Sequence, residues 1–141
     1  SSVAETRERA LELFGVFGLE GFEDCYPATL SGGMRQRAAL MRTVLCEKPI
    51  MLLDESFGGL DAMTRRKMQV WLLSIWECFE RSVLFITHDI EEAVFLSDRI
   101  YVLTERPANV GFEVIVDLPR PRNVTSTEFI EIKKQLLEAF K

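Results

Sequence analysis

The chain has no apolar run approaching the ~18–20 residues needed to cross a membrane, so no segment reads as membrane-spanning. It also has no excess of positive charge: 17 Lys and Arg stand against 22 Asp and Glu, for a net charge of −5. The basic residues are scattered, which argues against a nucleic-acid surface. The polar, charged beginning does not read as a signal peptide. Cysteine is sparse, and Cys25, Cys46 and Cys78 share no metal or redox spacing. An odd count of this kind reads as free thiols in a reducing compartment. Histidine occurs once, at His88, and neither an internal repeat nor a low-complexity segment is visible. What is present is apolar: 48% of the 141 residues are hydrophobic, enough for a real core in one domain or part of one.

The chain is organised around residues 30–61. Ser31, Gly32 and Gly33 precede a helical stretch from Met34 to Cys46. A serine and two glycines at a helix start leave backbone N–H groups unscreened, and the positive end of the helix dipole adds to them. Such a loop can receive an anion, most naturally a phosphate, or it can be a plain flexible N-cap. Ile50 to Leu53 is short, apolar and punctuated at both ends, as in a buried parallel strand. It ends in Asp54 and Glu55, where open α/β sheets place their ligands. One carboxylate can hold Mg²⁺ and the other can position or deprotonate a water, or both can belong to a solvated turn. Ser82 to Thr87 reads as a second buried strand, and His88 follows it directly.

These stretches resemble one family. Leu30-Ser31-Gly32-Gly33-Met34-Arg35-Gln36-Arg37 is similar to the signature motif of ABC transporter ATPase subunits. Ile50-Met51-Leu52-Leu53-Asp54-Glu55 resembles their Walker B strand, Gly58-Gly59-Leu60-Asp61 their D-loop, and Thr87-His88-Asp89 their switch histidine. The resemblance covers nearly the whole chain, in order and spacing. It implies an α/β fold: an incomplete P-loop NTPase core with a mostly parallel sheet flanked by helices, and part of the helical subdomain. Residues 1–46 would hold the helical-subdomain portion and signature helix, 47–104 the Walker B to switch-histidine core, and 105–141 a C-terminal hairpin strand and helix. ATP and Mg²⁺ are the implied cofactors. Glu55 and His88 are the implied catalytic residues, with Asp54 on the metal. Ser31, Gly32, Gly33, Gln36 and Asp61 would bind nucleotide. The implied partners are a second ATPase subunit in a head-to-tail dimer and a transmembrane permease, at the inner face of the cell membrane, with no nucleic acid. Phe57 to Arg65, Ile75-Trp76-Glu77 and Asp117 to Arg122 resemble the nitrate/sulfonate/taurine importer branch, in which the binding protein and permease choose the solute. Most members of the family have proline where this chain has Ser56.

The remaining stretches read as scaffold. Residues 3–17 form a helix with Ala10, Phe14 and Phe17 on one face and Gly18 as its C-cap. The next helix has Met34, Ala38, Met41 and Leu45 at helical spacing, with Arg35 and Arg37 as ordinary solvated charges. Asp61 can serve as N-cap of a helix whose stripe is Met68, Trp71, Leu72, Ile75, Trp76 and Phe79. Asp89 and Glu92 form a capping box for a helix through Leu96. Arg99 to Leu103 and Phe112 to Leu118 pair antiparallel across a turn at 107–111. Pro119 to Arg122 is a breaker, and Thr125 with Glu128 caps a last helix with Phe129, Ile132, Leu136 and Phe140 inward.

No Gly-Lys pair occurs anywhere, so the G-x-x-x-x-G-K-[ST] phosphate loop is absent from these residues. In the family that loop's strand lies between the Ser82–Thr87 and Arg99–Leu103 strands. Its absence predicts a gap in the sheet, exposed strand edges and self-association. Two other classes share part of the pattern: a non-catalytic assembly module, and a DNA-repair type of ABC ATPase. The latter would carry a basic groove or long heptads, and neither is visible.

Overall fold

A computed structural model describes residues 3–76, 78 and 81–139. Glu77, Phe79 and Phe140 therefore lie outside the described residues. The elements are α1 (Val3–Val16), α2 (Gly32–Leu45), β1 (Ile50–Asp54), α3 (Ala62–Trp76), β2 (Ser82–Ile86), α4 (Ile90–Leu96), β3 (Arg99–Leu103), β4 (Val110–Ile115) and α5 (Thr127–Ala139). The chain divides into two compact units, Ser1–Leu84 and Phe85–Lys141.

In the first unit α1 packs on α2. Gly18 terminates α1 at φ 61°, the left-handed turn that a residue without Cβ adopts at least cost. Its neighbours Phe17 and Leu19 are buried. An ion pair from Arg9 to Glu47 ties α1 to the segment after α2. The buried face of α2 is Leu40, Met41 and Val44. Of the expected stripe only Met41 is fully buried, because the face that turns inward is set by what packs on it. Met68, Leu72 and Ile75 of α3 are core as expected, and Trp71 and Trp76 are half-buried.

The strands depart from the expectation of full burial. Along β1, Met51 and Leu53 are buried, whereas Ile50 and Leu52 are 59% and 66% exposed. Leu84 and Ile86 of β2 are also exposed. An apolar run covered on one face only alternates in burial, because successive strand side chains point to opposite faces. β1 pairs with β2 in a parallel two-stranded sheet, and β3 with β4 in a separate two-stranded sheet. β2 and β3 are not sheet neighbours.

In the second unit β3 and β4 are antiparallel, from Arg99 opposite Ile115 to Leu103 opposite Val110, with an irregularity at Val102/Leu103. The strand begins two residues earlier than the sequence suggests, because pairing starts directly from the turn. α5 packs on α4 and β4, burying Phe129 and Leu136. Its cap is Ser126, whose Oγ accepts from Phe129 N at 3.3 Å. Thr125 instead donates to Asn123 Oδ1 at 2.8 Å, so the cap falls one residue later than expected, with Phe129 rather than Glu128 at its third position. The 119–122 segment is irregular, as a breaker should be, yet Arg122 is only 4% exposed.

Candidate functional site

The loop before α2 is shaped by local bonds. A short 3-10 turn, Pro27–Thr29, delivers the chain to Leu30 and Ser31. Ser31 is extended, and its Oγ accepts from Met34 N at 3.2 Å, the N-cap that its chemistry favours. Arg35 Nη1 donates to Leu30 O at 2.7 Å and holds the loop back against the helix. Gly32 and Gly33 form the first residues of α2, and neither has a positive φ. A Cβ at Gly32 would meet only Leu60 Cδ2 at 3.7 Å, and one at Gly33 only Thr64 Cγ2 at 3.6 Å. Those are ordinary contacts. Neither backbone conformation nor this chain's own packing requires glycine at either position, although glycine costs a helix up to about 1 kcal/mol relative to alanine.

The same distances bring the 31–33 loop beside the start of α3. There Asp61 Oδ1 accepts from Thr64 N at 3.0 Å. The Thr64 hydroxyl and its backbone N–H hold the Asp61 carboxyl below its usual range. Gln36, one turn into α2, is half-buried. The first unit thus places two helix N-termini together, one capped by the Ser31 hydroxyl and one by the Asp61 carboxylate.

At the end of β1, Asp54 and Glu55 are both exposed. Glu55 has φ 42°, in the left-handed region, which a residue bearing a Cβ enters at a cost of about 1 kcal/mol or more. The turn is fastened on its far side. Gly58 N donates to Glu55 O at 2.9 Å, and Phe57 is 1% exposed. A Cβ at Gly58 would lie 3.2 Å from that same carbonyl, so the close approach favours glycine. With Ser56 in place of the family's proline, Glu55 is not pushed toward the extended region that a following proline favours.

The second unit carries His88, exposed, in the link between β2 and α4. Asp89 Oδ1 caps α4, accepting from Glu91 N at 2.9 Å and Glu92 N at 3.2 Å. Glu92 is buried and reaches back as a capping box should, but to the Thr87 hydroxyl at 2.5 Å, which in turn accepts from Asp89 N at 3.0 Å. His88 therefore sits in a loop bonded on both sides.

Three comparisons bear on these residues. A family model described as "ABC transporter" matches residues 3–58. An ABC transporter ATP-binding protein of Methanocaldococcus jannaschii, MJ0412, is 49% identical over 137 residues, covering 97% of this chain and 51% of that protein. The aliphatic sulfonates import ATP-binding protein SsuB of Bacillus cereus is 42% identical over 134 residues, covering 95% of this chain and 53% of that protein. The chain belongs to the ABC transporter ATP-binding family. A solved dimeric ABC transporter cassette, MJ0796, superposes with a TM-score of 0.63 at 35% identity, covering 82% of this chain and 49% of that one. The fold is accordingly that of the ABC ATPase cassette, with the P-loop NTPase architecture. The chain spans about half the length of the curated relatives it matches.

The group that the family resemblance implies is Mg²⁺ with a nucleotide. Among the described residues no cluster of three or more His, Cys, Asp or Glu forms a metal cage. Mg²⁺ does not need one, since it takes one or two carboxylates and fills its octahedron with water and phosphate oxygens. An exposed strand-end carboxylate such as Asp54 fits that pattern.

Sequence reasoning also misread Arg37. Arg37 is not a solvated charge: it is half-buried, its guanidinium carbon lies 5.1 Å from the Trp71 ring centroid, and its Nε lies 3.5 Å from Met68 Sδ. Phe17 meets the same indole edge-on at 5.3 Å. The available signal was the pairing of an arginine on one helix with a tryptophan on another.

Proposed function

We propose that the chain is the signature-motif portion of the ATP-hydrolysing subunit of an ABC importer for nitrate, sulfonate, taurine or a similar small solute. That subunit would sit at the cytoplasmic face of the membrane against a permease and work as a head-to-tail dimer. In this reading Ser31, Gly32, Gly33, Gln36 and Asp61 meet nucleotide held by the opposite subunit. Asp54 holds Mg²⁺ through water, and the ion would supply charge to the phosphates. Glu55 takes the proton of the attacking water, and His88 hydrogen-bonds the γ-phosphate or that water. The import role is supported by the name of the sulfonate relative.

The observation that carries the reading is the pair of glycines that opens α2 behind its Ser31 cap. Two glycines stand where the fold would accept alanine, which leaves the N–H groups of a helix terminus open to the close approach of a phosphate. Glu55→Gln in the full-length subunit tests the chemistry. Turnover should fall by roughly 10²–10⁴, as for loss of a general base, while ATP binding survives. Near-normal turnover would remove Glu55 from the role. The second reading is an assembly module that keeps the fold without catalysis. A full-length subunit that assembles with its permease but hydrolyses no ATP would establish it.

A further inference from the structure

We propose that Arg122 is a positioning residue for His88, setting the height of α4 and with it the loop from which the imidazole projects. The proposal deepens the role given to His88 above and rests on that reading for its importance. The geometry on which it stands is independent of any nucleotide.

Arg122 is nearly inaccessible, and a guanidinium is costly to bury unless its donors are satisfied. Its donors meet five carbonyls. Nη1 donates to Val94 O and Ser97 O, each at 2.7 Å, and to Phe95 O at 3.3 Å. Nη2 donates to Val116 O at 3.2 Å, and Nε to Leu118 O at 3.3 Å. Val94 O and Phe95 O are carbonyls that the end of α4 leaves without helical partners, and Ser97 is its C-cap, where the dipole favours a cation. The other two belong to the segment leaving β4. A planar fork with five N–H donors can join these two segments in one fixed setting, whereas an ammonium cannot.

α4 has only seven residues. A helix that short has no stability of its own and lies where its ends are held. Its C-terminal end is held by Arg122, with Arg120 Nη2 donating to Leu96 O at 2.7 Å beside it, and Val94 and Phe95 are fully buried. Its N-terminal end is Asp89, adjoining His88, inside the Thr87–Glu92–Asp89 bonds described above. Between the clamps lies a rod roughly 10 Å long. A displacement at the carbonyl end therefore moves the histidine loop as a body.

His88 is the only histidine, so its imidazole Cε1–H signal reports the loop alone in the nucleotide-free 141-residue chain. Arg122→Ala and Arg122→Lys should both move that signal beyond its line width. They should also lower the exchange protection of the α4 amides roughly tenfold or more. Val102→Ala, a buried change in β3, serves as the control for lost stability and should leave the signal in place. Should Arg122→Ala fail to fold, Arg122→Lys decides. The proposal is overturned if a folded Arg122 variant keeps the wild-type His88 signal, or if Val102→Ala moves it as far. Because the sample contains no nucleotide, a failure of the phosphate role for His88 leaves this outcome unaffected.

Discussion

Each of the two units withdraws an arginine from water, and they do so by different physics. Arg37, in the unit that carries the signature loop, rests on an indole face and a thioether. Arg122, in the unit that carries His88, is gripped by backbone carbonyls. Attraction to a ring face or a sulfur changes slowly as the partners slide. A hydrogen bond weakens steeply once its angle closes. The first unit is therefore braced by contacts that tolerate small adjustment, around the loop we propose to meet nucleotide. The second is latched in one register around a single side chain.

The contrast can be broken at Arg37. Arg37→Ala removes the stacked guanidinium and the stem that covers Trp71, and should cost about 1–2 kcal/mol. Both tryptophans, Trp71 and Trp76, lie in this unit, so urea unfolding followed by indole fluorescence reads it directly. Arg37→Lys should recover a good part of the loss, since a point charge over a ring keeps some of the attraction. An alanine variant as stable as the parent would return Arg37 to the status of a surface charge and end the comparison.

A smaller effect, of opposite sign, is expected at Gly32. The Cβ of Gly32→Ala fits against Leu60, so the chain should be unchanged or more stable by up to about 1 kcal/mol in the same urea titration. Activity of the full-length subunit should fall all the same, because the methyl group stands over the N–H groups that would face the phosphate. A destabilised Gly32→Ala chain would mean that the glycine is there for the fold.

Much of this arrangement was legible before the structure. The elements from α1 to α5 follow from periodicity and punctuation, and the order of the 30–61 motifs carried the family. What escaped were properties that depend on partners distant in sequence. Ile50 and Leu52 read as core because apolar strand residues usually find cover on both faces, and here one face has none within the described residues. Arg37 read as solvated because nothing near it in sequence reveals Trp71, 34 positions on. Arg122 hid within a proline-flanked breaker, since a run of Pro and Arg shows where a helix cannot continue but not which carbonyls an arginine will find. The left-handed turn at Glu55 was invisible because it is imposed by Phe57 and Gly58 on a residue type that does not prefer it.

The smallest expected effect separates the units by pH. Three carboxyls of the first unit are held below their usual range. The Arg9 guanidinium acts on Glu47, the Gly21 N–H on Glu23, and the Thr64 hydroxyl and N–H on Asp61. A carboxyl whose folded pKa is depressed binds fewer protons when folded than when unfolded. Its stabilisation is present above the unfolded value and is lost as pH falls through the folded one. The first unit should therefore hold from pH 7 to about 5 and weaken below about pH 4. The loss should be modest, because all three groups are exposed and screened. Arg122 stays charged throughout: burial lowers its pKa, but from a guanidinium value far above this range. Its clamp on α4 does not titrate over this range. Indole fluorescence between pH 7 and 2 should show the first unit loosening before the β3–β4 amides lose exchange protection. Added salt should narrow the difference by weakening the Arg9–Glu47 pair. If the hairpin amides give way at a higher pH than the tryptophans, the acid-sensitive contacts lie in the second unit and the assignment to the first is wrong.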